Sequence, residues 1–182
     1  MSFGGYSYEQ IQALSDIDFD ALARSSLPFL DPNAYPWDGH EETDDDRVAT
    51  IRKRVLKIST NPEREAQGAE NFIFIQKHHG VVMGLNVGIK FGDTYFDYSG
   101  FYGPNADGSR SWWADIAFWD AGAAFFNELG IKNWLSQKPR VSRVNQRLED
   151  RFALRPVEGH PASSPNHIVH EYMKNGILQL RR

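Results

Sequence analysis

From Asn71 to Tyr102 three consecutive runs alternate with a period of two, and this stretch constrains the fold more than any other. The runs Asn71 to His78, Val81 to Phe91 and Thr94 to Tyr102 are joined by the two-residue turns His79-Gly80 and Gly92-Asp93. Strands joined that tightly pair antiparallel, because a parallel pair needs a connection of a dozen residues or more. In the first run Phe72, Phe74 and Gln76 share one face, and Ile73, Ile75 and Lys77 share the other. Apolar groups on both faces mark an interior strand covered on both sides. In the third run Tyr95, Asp97, Ser99 and Phe101 are expected on one face, with Phe96, Tyr98 and Tyr102 opposite.

The period then changes. Gly103-Pro-Asn-Ala-Asp-Gly-Ser-Arg-Ser111 leads into a segment, Ser111 to Leu129, that is apolar around most of a helical girth. Trp112, Ile116, Trp119, Ala123 and Phe126 form one stripe, and Phe118, Gly122, Phe125 and Leu129 form a second. A helix of this kind packs between layers. Gly130 supplies a C-cap signal. The next run, Ile131 to Ser136, is parallel to an earlier strand if the helix is a crossover. A strand, a small-residue loop and a helix start in succession also make an anion site in principle. The first N–H groups of the helix lack partners and carry partial positive charge, and small residues let an anion come close. Taken alone, the same segment is an ordinary turn followed by a helix cap.

The flanks read more simply. Tyr8 to Leu14 is a first strand, and Ser15 or Asp16 caps a short helix carrying Ile17, Phe19, Ala21 and Leu22. Leu27 to His40 holds three prolines and is irregular. Thr43 to Asp46 opens a second helix with Val48, Ile51, Val55 and Ile58 on its apolar face, ended by Asn61-Pro62. After Ser136 come a helix from Ser142 to Phe152, a strand starting in Ala153 to Val157, and an irregular stretch from Glu158 to Asn166. His167 to Met173 and Ile177 to Leu180 flank Asn175-Gly176, a strong hairpin signal. The whole is an α/β (α+β) chain of 182 residues, the size of one domain.

Composition removes several classes. With no cysteine there is no disulfide scaffold, thiolate metal site or cysteine nucleophile, and a cytoplasmic location is permitted. A net charge of −4 argues against binding nucleic acid by phosphate neutralisation. No apolar run approaches the ~20 residues of a membrane span, and Met1 to Tyr6 lacks the pattern of a signal peptide. His78 and His79, adjacent in a strand, are expected on opposite faces. His167 and His170 lack a third metal ligand, and the acidic run Glu41 to Asp46 reads as a solvated helix start. Arg140, Arg143, Arg147 and Arg151 form one helical stripe, either a solvated face or a surface for phosphate or an acidic partner.

The element order resembles the GNAT acyltransferase superfamily: strand, two helices, three-stranded meander, helix, strand, helix, closing hairpin. So do three local patterns: Asn105-Ala-Asp-Gly-Ser-Arg110, Phe126-Asn-Glu-Leu-Gly-Ile131, and Asn145 ahead of Phe152-Ala-Leu-Arg-Pro156. The closing Tyr172 to Leu180 is similar to short GNAT-like proteins of tailed phages, some of them virion components. The resemblance implies a twisted, mostly antiparallel sheet with helices on both faces in one domain. Residues 1–70 would form the helical part on the amine side, 71–136 the central sheet, cofactor loop and helix, and 137–182 the closing helix and hairpin. It further implies acetyl-CoA as co-substrate, lying in a V-shaped opening between Thr94–Tyr102 and Ile131–Ser136. The pantetheine arm would run along Ser99, Phe101 and Tyr102. The diphosphate would sit on the amides of Ala106, Asp107, Gly108, Ser109, Arg110 and Ser111. Asn145 would touch the cofactor, and Asp97 is the carboxylate placed to take a proton from a primary amine as it attacks the thioester.

Three positions depart from the family pattern. Asn105 and Arg110 stand where the loop usually has Gln or Arg and then Gly or Ala, and Phe152 stands where many members have a tyrosine acid. A second reading follows: a GNAT-like domain without turnover, serving a structural or interaction role. A third, an unrelated ligand-binding α+β domain, holds only for a different strand order. The identity of the amine and the oligomeric state are outside what the sequence specifies.

Overall fold

The computed structural model describes residues 3–30, 37, 39, 43–60, 62–109, 112–140 and 142–181. Among these, seven strands form one sheet in the order of the chain: β1 (Tyr6–Ile11), β2 (Glu70–His78), β3 (Val81–Phe91), β4 (Thr94–Tyr102), β5 (Asn133–Pro139), β6 (His167–Lys174) and β7 (Ile177–Leu178). The helices are α1 (Phe19–Ser26), α2 (Asp44–Ser59), the single turn α3 (Pro62–Glu65), α4 (Ile116–Glu128) and α5 (Arg143–Phe152). Only β4 and β5 are parallel, joined across the face by α4; every other neighbouring pair is antiparallel.

Two cores lie on opposite faces of this sheet. α4 and α5 cover one, where Phe72, Phe74, Tyr95, Phe126 and Trp134 pack together; α1 and α2 cover the other, against Ile73, Ile75, Leu85, Val87 and Phe101. The two faces read for β2 are those observed. α4 carries an aromatic core on one side of the sheet because Gly122 presents no side chain to Trp134 and Tyr8. A Cβ there would stand 3.0 Å from each ring.

Several boundaries differ from the sequence reading, each for a local reason. β1 begins at Tyr6, after a turn in which Gly4 and Gly5 both take positive φ, and ends at Ile11. Asp18 caps α1 by accepting from the Ala21 amide at 3.0 Å, while Asp16 accepts from the Gln12 and Ala13 amides. The segment Ala153 to Val157 is not a strand. Ala153 ends α5 in the left-handed region, φ 52°, and Pro156 makes a single bridge to His170. The apolar segment before α4 is split, with a 3-10 turn at Trp112–Ala114 and a fresh cap at Asp115.

The third meander strand departs most. Its pairing with β3 shifts between Val87 and Gly88, so that Val87 faces Ser99 and Gly88 faces Asp97, with Tyr98 extra. This β-bulge reverses the faces along β4. Tyr95 joins the α4-side core, whereas Phe101 joins the α1–α2 core. The four residues expected on one face are therefore split two and two.

Candidate active site

β4 and β5 pair through four rungs, from Thr94↔Asn133 to Asp97↔Ser136, and then part. β5 continues to Pro139, held by β6 as far as His167, while β4 continues to Tyr102, held by β3. The facing edges of Tyr98–Tyr102 and Gln137–Pro139 are thus left open to each other. A cleft of about 610 Å³ fills the gap. Phe29, Leu30, Arg54 and Ile58 line it on the α1–α2 side; Trp113, Arg143, Asn145 and Arg147 line it on the α4–α5 side.

Asp97 sits where the strands divide. It is 1% exposed, and one oxygen, Oδ2, accepts from Ser136 Oγ at 3.1 Å and from Lys138 Nζ at 3.1 Å. Its Oδ1 is buried with no hydrogen-bond partner among the described residues. A buried carboxylate oxygen is costly to leave unpaired, so water or a ligand must meet it. The bulge aims Asp97 toward the α4–α5 side. Its neighbour Ser99 turns to the other side, where Ser99 Oγ accepts from Arg54 Nε at 3.1 Å.

Tyr172 from β6 completes the apex, a residue that its sequence position alone did not bring to the site. Its hydroxyl donates to Asn145 Oδ1 at 3.3 Å. Burial pushes this phenol well above the usual tyrosine range, and the charge of Asp97 adds to the effect, so the hydroxyl keeps its proton at neutral pH. Asn145, 3% exposed, also faces His170 Nδ1 at 3.2 Å, and His170 Nε2 lies 2.8 Å from Glu149 Oε1. Lys138, Ser136, Tyr172, His170 and Glu149 carry no local pattern that singles them out. The one available signal was alternation along β6, which puts His170 and Tyr172 on one face. Phe152 is a core residue, 4% exposed.

The other candidate residues are distributed as follows. Tyr102 stacks on Trp112 with ring centroids 4.1 Å apart and donates to Asn86 Oδ1 at 2.6 Å. Phe101 packs edge-on against Phe19. Arg110 and Ser111 lie outside the described residues. In the loop before them, amides expected to receive a diphosphate already have partners. The Ala106 amide donates to His78 Nδ1 at 3.1 Å, Gly108 to the Asn105 carbonyl at 2.8 Å, and Ser109 to Asp107 Oδ1 at 2.9 Å. Asn and Asp side chains close turns on their own backbone in this way. Hydrogen bonds from Ser109 hold the Asp107 carboxyl below the usual range, so the loop itself bears a negative charge. An anion binding there would have to replace these partners.

The arginine stripe divides. Arg140 Nε donates to the Ser164 carbonyl and Arg151 Nε to the Ala114 carbonyl, fixing loops, while Arg143 and Arg147 line the cleft. Arg147 lies over the Trp113 ring, 5.2 Å from its centroid. His78 and His79 also differ from expectation. Their rings stand 4.3 Å apart, because His79 leaves the strand at φ 48° and the opposite-face rule ends there.

A seven-stranded mixed sheet in chain order, parallel only at a parted β4–β5 junction, with helices on both faces, is the fold of the GNAT N-acetyltransferases, and the chain has that fold. Among solved structures it is similar to apo FdhC, described as a nucleotide-linked sugar GNAT, at 12% identity over 95% of this chain and 89% of that one, TM-score 0.52. It is similar to the PaiA N-acetyltransferase of Thermoplasma acidophilum in complex with coenzyme A, at 10% identity over 92% and 99%, TM-score 0.52. It is also similar to RimL, a ribosomal L7/L12 α-N-protein acetyltransferase in complex with coenzyme A, at 8% identity over 93% and 96%, TM-score 0.52. No family model matches the sequence, and no curated protein matches it.

Proposed function

We propose that the chain moves an acetyl group from acetyl-CoA to a primary amine by direct attack in a ternary complex. The observation that carries this is the open β4–β5 junction with Asp97 and the Tyr172 hydroxyl at its apex. The unpaired backbone edge of Ser99–Tyr102 suits the amides of a pantetheine arm, which adds hydrogen bonds where a strand neighbour is missing. The aromatic wall of Trp112, Trp113 and Trp119 suits its apolar body. Cationic Arg143 and Arg147 suit its phosphates better than the Ala106–Ser109 turn, whose amides are engaged and whose Asp107 is charged.

The residues then divide the proton work. The amine loses a proton to Asp97 Oδ1, and its nitrogen bonds to the thioester carbon. The C–S bond breaks, and the departing thiolate takes the proton of Tyr172. Ser136, hydrogen-bonded to Asp97, stands on the path by which that proton is returned. Tyr172 thus supplies from β6 the group that Phe152 lacks. Lys138, held against Asp97, offers positive charge where the thioester oxygen turns negative.

The engaged loop amides favour a second reading, a GNAT-like domain that serves as a structural or interaction protein. Thermal unfolding with acetyl-CoA, followed by free-thiol release over a panel of amines, separates the two. Ligand at ~100 times its dissociation constant stabilises a binder by about 2.7 kcal/mol. Binding with thiol release supports transfer, and binding without it supports the second reading. An unchanged melting temperature at millimolar acetyl-CoA refutes cofactor binding altogether.

A further inference from the structure

The chain of contacts behind Tyr172 has one consistent direction, fixed by counting donors and acceptors. Glu149 offers a carboxylate, which only accepts, to His170 Nε2 at 2.8 Å. Nε2 must therefore carry hydrogen. In a neutral ring Nδ1 is then bare and accepts. Asn145 must turn its NH2 toward that nitrogen, 3.2 Å away, which leaves its carbonyl for the Tyr172 hydroxyl at 3.3 Å. The hydroxyl proton is thereby directed at Asn145, and the oxygen's lone pairs face Ser136 and the cleft. If His170 gains a proton, Nδ1 becomes a donor and the sequence reverses. Asn145 must then present its carbonyl to His170 and its NH2 to the tyrosine oxygen, and the hydroxyl proton turns to the cleft.

We infer that His170 is a positioning residue that sets, through Asn145, whether Tyr172 presents a lone pair or a proton to the cleft. The inference rests on the acyl-transfer reading for its consequence, but its wiring does not depend on that reading. His170 is completely buried, and both of its partners come from α5. Around it, β5 contributes the neutral Ser136 opposite, and the segment after α5 contributes Pro156. Glu149 is its charged partner. Asp97 and Lys138 pair with each other at the Tyr172 end, and Glu171 of its own strand pairs with Lys174. Burial lowers its proton affinity against the pull of Glu149, so the neutral arrangement holds at physiological pH. The Tyr172–Asn145 bond is long, and a long hydrogen bond is readily exchanged.

The test uses the full chain with 15N-labelled histidine and side-chain-labelled asparagine. Long-range 1H–15N correlation at pH 7.5 should find the His170 proton on Nε2, and a proton on Nδ1 overturns the inference. Lowering the pH until His170 is doubly protonated should shift the Asn145 NH2 resonances together with it; unchanged Asn145 signals overturn it equally. Glu149→Leu removes the group that pins the tautomer from a half-exposed site. It should yield a mixture of the two tautomers with the protein folded, and a single unaltered tautomer counts against the scheme.

The departing thiolate can take the Tyr172 proton only when that proton faces the cleft, so in the turnover assay the wild-type kcat should rise as pH falls below about 6.5, a limb in the ordinary histidine range. Glu149→Leu should move that limb to lower pH, with KM for acetyl-CoA unchanged within about twofold. A limb in the same place in both proteins refutes the link to Tyr172. Absence of any thiol release in the wild type refutes the acyl-transfer reading instead, and the resonance measurements still decide the wiring.

Discussion

Gly88→Ala should be among the most damaging single-methyl additions in the sheet. Gly88 faces Asp97 at the bulge, and a Cβ there would lie 2.1 Å from the Phe96 carbonyl oxygen and 2.7 Å from the Tyr95 hydroxyl. An ordinary carbon–oxygen contact is about 3.3 Å or more, so the strands must separate by roughly 1 Å. The obstacle is main chain within the ladder and cannot rotate aside. Overpacking costs about 1–3 kcal/mol, and one or two disturbed ladder bonds add about 1 kcal/mol each, for about 2–5 kcal/mol. A domain of this size loses about 2–4 °C per kcal/mol, which gives roughly 4–20 °C. Urea unfolding followed by tryptophan fluorescence measures this, with Gly84→Ala as the comparison. There the Cβ would meet Tyr102 Cδ1 at 2.5 Å and Gln76 Oε1 at 2.8 Å, both side-chain atoms. Tyr102 can yield by shifting on Trp112, so about 1–2 kcal/mol and an altered near-UV spectrum are expected. If Gly88→Ala stays within about 1 kcal/mol of the wild type, or proves milder than Gly84→Ala, the bulge is not held as argued, and the placement of Asp97 and Ser99 loses its basis.

Two further outcomes follow from the buried charges. Asp97→Ala leaves Lys138 without its partner and Ser136 without its acceptor, and should cost about 2–3 kcal/mol, less than a fully enclosed pair because Lys138 can reach the cleft. Adding Lys138→Met should recover more than half of that loss in a double-mutant cycle, and strictly additive losses would show that the pair is not coupled. His170 has a folded-state proton affinity below its unfolded value of 6.5. The unfolded chain therefore binds more protons as pH falls from 6.5, and stability that is full above that pH should decline below it. In His170→Phe the decline between about pH 6.5 and 5 should flatten, as read by urea midpoints across that range; an identical slope would assign the pH dependence to other groups.

What could be read along the chain was what depends on near neighbours. The period-two runs around the turns at Gly80 and Gly92, the two apolar faces of β2, the acidic start of α2 at Thr43–Asp46 and the Asn175-Gly176 hairpin all follow from local geometry, and all are present. Element order carried the fold as well, because short connections leave few ways to arrange a meander, a crossover helix and a closing hairpin. The resemblance to the GNAT superfamily singled out Asp97, as the nearest carboxylate on the strand that would face the amine.

The bulge could not be read, because a strand's alternation looks the same whether or not its partner skips a residue. The faces of Tyr95 and Phe101 were decided by pairing with β3. The loop at Asn105–Ser109 has the composition of an anion cradle, but packing against Tyr6 and His78 engages its Asn105 side chain and Ala106 amide, and turns within the loop engage the Gly108 and Ser109 amides. Lys138, His170 and Tyr172 lie on two strands with unremarkable local sequence. They meet Asp97 and Asn145 because β5 diverges from β4 while staying paired to β6, which brings polar side chains from distant parts of the chain into one buried apex where each must find a partner.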